Sequence, residues 1–235
     1  MMCKYFTYLI FLSLLPALCG SNTVSAVEEI WGEAEAASSI TTPLQILDDT
    51  AASGGQYIAN PTVGGASNTN PPSTGIATYN ITIEEGGTYK LFLRVLCTVS
   101  GSSDDSCYIR IQGATPSATP GTGGWTNCNN IDGTMAAADT QVWFWAQARQ
   151  YDSEPGNVIT FDIPAGSYVL EIAYREDGLK IDGFVITNDP DVTTADLPDE
   201  IPSEEPCISK LAITNGDFET GGGVSITDVN GWYDN

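Results

Sequence analysis

Chemistry in this chain would have to come from carboxylates, cysteines and aromatic rings. The 235 residues include no histidine. A Ser-His-Asp triad, a Cys-His pair and an imidazole ligand for zinc or copper are therefore all excluded. Thirty Asp and Glu stand against eight Lys and Arg, a formal charge of −22. A partner held through phosphates, whether nucleic acid or an anionic membrane surface, does not suit that balance. Two carboxylates can hydrolyse a glycoside without histidine, but among thirty acids such pairs arise anywhere, and none marks a catalytic site. A Tyr, Lys or Arg base acting with calcium is equally unmarked, so the chain reads as non-catalytic.

Six cysteines occur, at positions 3, 19, 97, 107, 128 and 207. No CxxC spacing exists, so a metal–thiolate site has no support. Lys4 precedes an apolar run from Tyr5 to Leu18, and Val24-Ser25-Ala26 offers the small-x-small pattern of a cleavage site. Residues 1–26 read as a secretory signal peptide. The run is too short for a comfortable membrane span. A lipoprotein signal acylated at Cys19 is less favoured, because Leu18 stands where a small residue is wanted. Disulfides persist in exported chains. Cys97 shares the parity of Leu91, Leu93 and Val95, and Cys107 that of Ile109 and Ile111. Both point inward if the two strands form a hairpin, which favours the pair Cys97–Cys107. The alternative is Cys107–Cys128, which would tie down a long loop.

The elements that must position these groups are strands. From Trp31 to Thr187, short alternating or aromatic runs are divided by turn triplets such as Glu85-Gly86-Gly87, Pro164-Ala165-Gly166 and Glu176-Asp177-Gly178. Strands are predicted over 31–36, 44–47, 56–59, 76–83, 88–97, 107–112, 141–149, 158–163, 167–174 and 179–186. In 168–174 the alternation puts Tyr168, Leu170, Ile172 and Tyr174 on one face. Regular short strands without a helix-period segment predict an all-β, two-sheet jelly-roll sandwich over residues 27–188. Two long loops, 60–74 and 113–140, would gather at its ends. Residues 189–207 read as a linker. The stretch 188–206 holds seven acids, no base and prolines at 190, 198, 202 and 206, a composition that stays extended and solvated. Residues 208–235 return to alternating apolar positions and read as the truncated start of a second β module, since so few residues cannot bury a core alone.

The order of features is itself informative. Trp31-Gly32-Glu33-Ala34-Glu35 comes first, then Ala52-Ser53-Gly54-Gly55-Gln56-Tyr57 and GGTYKLFLRV. Trp143-Phe144-Trp145 and PAGSYVLEIAYREDGLKIDGFVIT follow. Over residues 28–188 this resembles the carbohydrate-binding modules of families 6 and 35, which have a galactose-binding-like jelly-roll fold. The tail, NGDFETGG then GWYDN, resembles the first strands of another such module.

The resemblance implies a secreted, non-catalytic module that directs a larger polysaccharide-active or cell-surface protein to a glycan. It implies a structural calcium ion held by Glu33, Glu35 and Asp182. Residues two apart on a strand face one side, and calcium takes hard oxygen ligands; solvated edge charges are the plainer reading of the two glutamates. It also implies sugar contacts from aromatic rings lying against a pyranose. The candidates are Trp143, Trp125 and Tyr57. Trp143 and Trp145 share a face, so one of them is expected to pack. Trp125 lies in a Gly-rich loop that favours exposure, and Tyr57 is more expected to pack than to bind. Where family 6 modules often carry an asparagine before the final strand, this chain has Leu179-Lys180-Ile181-Asp182. Lys180 would then donate to a hydroxyl or meet an acidic sugar. Arg175 would meet a carboxylate, either a ligand's or that of Glu176 or Asp177. The alternative function is a structural or adhesive surface module with no glycan affinity.

Overall fold

The computed structural model describes residues 27–62, 69–97, 104–129, 131, 142–150 and 157–202. The predicted signal peptide, Cys207 and the segment 208–235 lie outside them.

The described residues are all-β, with two large antiparallel sheets and a two-stranded one. The strands in order are β1 (Glu29–Glu33), β2 (Ser39–Ile40), β3 (Gln45–Asp48), β4 (Gln56–Ala59), β5 (Ile76–Ile83), β6 (Gly87–Cys97), β7 (Cys107–Ile111) and β8 (Thr115–Pro116). They continue as β9 (Thr126–Cys128), β10 (Phe144–Gln147), β11 (Arg149–Gln150), β12 (Asn157–Val158), β13 (Thr160–Ile163), β14 (Gly166–Tyr174) and β15 (Leu179–Thr187). An eight-stranded sheet runs β3-β4-β15-β6-β13-β8, with β1 also on β15 and β10 also on β6. A five-stranded sheet runs β2-β5-β14-β7-β9, and β11 pairs with β12. The inward residues of both sheets form one core, including Ile58, Leu91, Leu93 and Ile181 from the first sheet and Tyr79, Ile109, Leu170 and Ile172 from the second. The period-2 alternation seen in the sequence is the cause, since alternate side chains leave opposite faces of a strand.

One irregularity organises the rest. Between β15 and β6 the register slips, with Ile181 opposite Val95 but Gly183 opposite Arg94. Asp182 is the extra residue of a β-bulge. The bulge reverses parity, so Ile181 and Phe184 both face the core although they are three apart. The same strand edge changes partner here. It pairs with β4 through Lys180 and Ile181, and with β1 from Gly183 onward.

Two expectations are corrected. Cys97 and Cys107 are not joined, and Cys97, Cys107 and Cys128 are all buried thiols. The two strands are not a hairpin: β6 belongs to the eight-stranded sheet and β7 to the five-stranded one. The pairing was favoured only because a hairpin would set the two side by side, and the two-sheet topology removes that hairpin. The second correction concerns the acidic, proline-rich stretch. Up to residue 202 it belongs to the same compact unit as the sheets. It lies on the outer face of the eight-stranded sheet, where Ile201, Val192 and Leu197 pack against Phe92, Trp145, Val185 and Trp31. The Trp145 indole N–H donates to the Pro198 carbonyl at 2.6 Å. Lys90 Nζ donates to the carbonyls of Pro190 and Val192 at 2.6 and 3.0 Å. Three apolar residues among the acids and prolines match an apolar patch on the sheet, and that outweighs the solvation of the flanking charges.

Candidate functional site

The outer face of the eight-stranded sheet carries two adjoining groups of functional side chains. The first is an acidic cluster built around the bulge. Glu33 ends β1 opposite Gly183. Glu35 lies in the 3₁₀ turn Ala34–Ala36 rather than in the strand, so its placement beside Glu33 comes from that turn and not from strand parity. A second 3₁₀ turn, Ser53–Gly55, closes over them. The Ser53 hydroxyl donates to Glu33 Oε1 at 2.7 Å, and its N–H donates to Asp182 Oδ2 at 3.2 Å. A Cβ on Gly54 would stand 3.0 Å from Glu35 Oε1, and its φ of 62° also favours glycine. Arg94, facing outward on β6, pairs with Asp182, which is fully buried. The acidic, proline-rich stretch 189–202, a strap across this face, reaches the same place, where Ile201 N–H donates to Ser53 Oγ at 2.9 Å.

Electrostatically the cluster is under-compensated. Glu33 Oε2, Glu35 Oε2 and Asp182 Oδ1 are buried and accept no hydrogen bond. Burial, aided by the charges of Glu35 and Asp182 and opposed by the Ser53 hydroxyl, pushes Glu33 up to about 7. Burial also raises Glu35 and Asp182, the latter against the opposing pull of Arg94. Three orphaned hard oxygens match the donor chemistry of calcium. As they stand they do not converge, and among the described residues no group of three or more acidic or cysteine side chains is set as a metal cage.

The second group is aromatic and cationic. Tyr57 on β4 and Trp143 just before β10 lie with ring centroids 5.5 Å apart. Lys180 Nζ sits 4.9 Å from the centre of the Tyr57 ring, and the Arg94 guanidinium 5.8 Å from that of Trp143. Lys180 takes part in none of the three ion pairs found among the described residues. Trp143 is half-buried and Tyr57 is 7% exposed, with Leu47, Ala52 and Ala59 packed around them. The Trp143 indole N–H is buried and meets no acceptor among the described residues.

Of the five residues predicted to meet sugar, three come together here: Tyr57, Trp143 and Lys180. The other two flank strands of the five-stranded sheet, Trp125 just before β9 and Arg175 just after β14. Trp125 is 6% exposed, not displayed on its loop, because the Arg110 guanidinium lies 4.4 Å above its ring and Tyr108 and Ala173 pack against it. Its edge lines a cavity of about 300 Å³ with Asn70–Ser73, Thr122 and Gly123. Arg175, after β14, donates to Glu176 Oε1 at 2.7 Å and to the Ser106 hydroxyl. Sequence reasoning missed Arg94, Ser53 and the strap. Arg94 carried a signal, being a guanidinium set in the apolar run 91–97 of its strand. Ser53 carried none.

No protein-family model and no curated protein matches the chain. Solved structures are similar to it. One is the second family 6 carbohydrate-binding module of Cellvibrio mixtus lichenase 5A, in complex with cellotriose. It shares 20% identity over 70% of this chain and 99% of that one, with a TM-score of 0.41. Another is the C-terminal family 6 module of a laminarinase from Zobellia galactanivorans, at 18% identity over 68% and 100%, TM-score 0.40. A Podospora anserina β-(1,4)-mannanase carrying a family 35 module is 15% identical over 69% of this chain, TM-score 0.45. The present chain spans 28% of that enzyme's length. Among the described residues no helix is long and apolar enough to cross a membrane.

Proposed function

We propose that this chain contributes a non-catalytic glycan-binding module to a larger exported protein. The observation that carries the reading is the single patch formed by Tyr57, Trp143 and Lys180. A half-buried indole beside a second ring offers the flat apolar surface on which a pyranose stacks. The ammonium group of Lys180, engaged in no ion pair among the described residues, supplies a donor that orients hydroxyl or carboxylate oxygens. Such a module raises the local concentration of whatever domains share its chain on a polysaccharide. The proposal includes a signal peptide ending near Ala26 and a further module after the described residues. It also includes calcium at Glu33, Glu35 and Asp182, where the ion would take the three oxygens that lack partners and hold the turn 53–55 against the bulge.

The test is affinity electrophoresis of the folded protein through gels containing neutral and acidic polysaccharides, with and without calcium. Retardation by at least one polysaccharide, lost in Trp143→Ala and reduced in Lys180→Ala, supports the reading. Unchanged mobility in every gel defeats it. The burial of Trp125 and Tyr57 favours the second reading, a structural or adhesive surface module, which predicts that unchanged mobility.

A further inference from the structure

Three cysteines lie in one core, and the topology sorts them. Cys107 opens β7 and Cys128 closes β9, and in this antiparallel pair they stand directly opposite each other, followed by Tyr108 opposite Asn127 and Ile109 opposite Thr126. Both are fully buried, on the inward face that also holds Ile109. Directly opposed antiparallel residues have Cα atoms about 4.5–5.5 Å apart, inside the roughly 4.4–6.8 Å window of disulfides. Cys97 belongs to the other layer, opposite Leu179 on β15.

We propose that Cys107 and Cys128 are a disulfide-forming pair that staples β9, and the loop carrying Trp125, to β7. The bond forms by exchange with a small-molecule disulfide such as oxidised glutathione. The thiolate of one cysteine attacks it and releases one glutathione thiolate. The thiolate of the other attacks the mixed disulfide and releases the second. Two protein thiols lose two protons and two electrons, and glutathione disulfide gains the electrons to become two glutathione thiols.

Burial sets when this happens. In the closed core the Cys107 thiol donates to or accepts from Cys128 and is held well above the ordinary thiol range, chiefly by that contact and by desolvation. Little thiolate exists in the folded state, so exchange belongs to folding, before the layers close, and the finished bond is shielded from reductants. The staple closes the segment 108–127, which carries the Arg110–Trp125 stack and one wall of the cavity against Asn70–Ser73.

The full chain is unfolded under reduction, refolded in a reduced/oxidised glutathione buffer, alkylated, digested without reduction and mapped by mass spectrometry. The expected product is a cross-linked pair of peptides containing Cys107 and Cys128, lighter by two hydrogens than the separate thiols. The same bond forms in Cys97→Ser, and is absent from Cys128→Ser. Reduction in mild denaturant followed by its removal lowers the thermal midpoint by roughly 5–10 °C. Cys107 found linked to Cys97 or Cys207, or both Cys107 and Cys128 recovered alkylated from refolded wild-type protein, overturns the proposal. Mapping of the wild-type chain decides the matter even if a variant does not fold.

Discussion

Replacing Ile201 by alanine separates a packed strap from a solvated linker. Ile201 is 5% exposed and sits among Phe92, Trp145 and Val185. Its Cδ1 lies 2.1 Å from the point where a Gly183 Cβ would be, so it fills the hollow that this glycine leaves beside the bulge. Burying an isoleucine side chain stabilises by about 1.5–3 kcal/mol in transfer terms, and truncation to alanine in a closed core costs about 2–5 kcal/mol. The strap is held on one side only and can settle into the space left behind, which places the expected loss at about 2–3 kcal/mol. Loosening it also frees the Trp145 indole from the Pro198 carbonyl, so tryptophan fluorescence follows the change. Urea unfolding at pH 7 measures the loss, with the exposed Ile46→Ala as a control expected to change stability by less than about 0.5 kcal/mol. A loss below about 0.5 kcal/mol for Ile201→Ala would refute the packing argument and restore the stretch to the status of a tether.

Other expectations concern the acidic cluster. An unfolded glutamate ionises near 4.5, whereas folded Glu33 holds its proton to about 7, so calcium-free protein loses stability as pH rises through that window and not below it. Partial solvent access trims the loss to about 1–2 kcal/mol; unfolding midpoints in chelator from pH 4.5 to 8 check this, and Glu33→Gln showing the same slope would count against it. Arg94→Ala leaves the fully buried Asp182 without its ion-pair partner and is expected to cost about 3–5 kcal/mol at pH 7 in chelator. If calcium binds as proposed, adding it recovers part of that loss; calorimetric titration and thermal melts measure both. Gly54→Ala combines an unfavourable φ of 62° with a Cβ 3.0 Å from Glu35 Oε1 and should destabilise by about 1–2 kcal/mol, read from urea midpoints.

Strand positions were legible because period-2 alternation is a local property. The runs at 56–59 and 76–83 match β4 and β5, and those around 88–97, 167–174 and 179–186 match β6, β14 and β15 to within a residue. Glycine and proline triplets marked most of the turns for the same reason. The short strands β2, β8 and β9 were not legible. Two or three residues carry no measurable period, and only their partners make them strands. The proximity of Tyr57, Trp143 and Lys180 was not legible either, since they come from strands far apart in the chain.

What the amino-acid order determined alone was the all-β class, the inward faces and the excluded chemistries, because each depends on residue type and nearest-neighbour spacing. Tertiary structure decided which inward residues meet. Cys97 and Cys107 are ten positions apart and share an inward parity, yet they stand in different layers. Asp189 to Pro202 reads as a solvated tether, yet three apolar side chains find a complementary patch. Layer assignment and the fit of one surface to another depend on pairings between distant strands, and no local pattern encodes those.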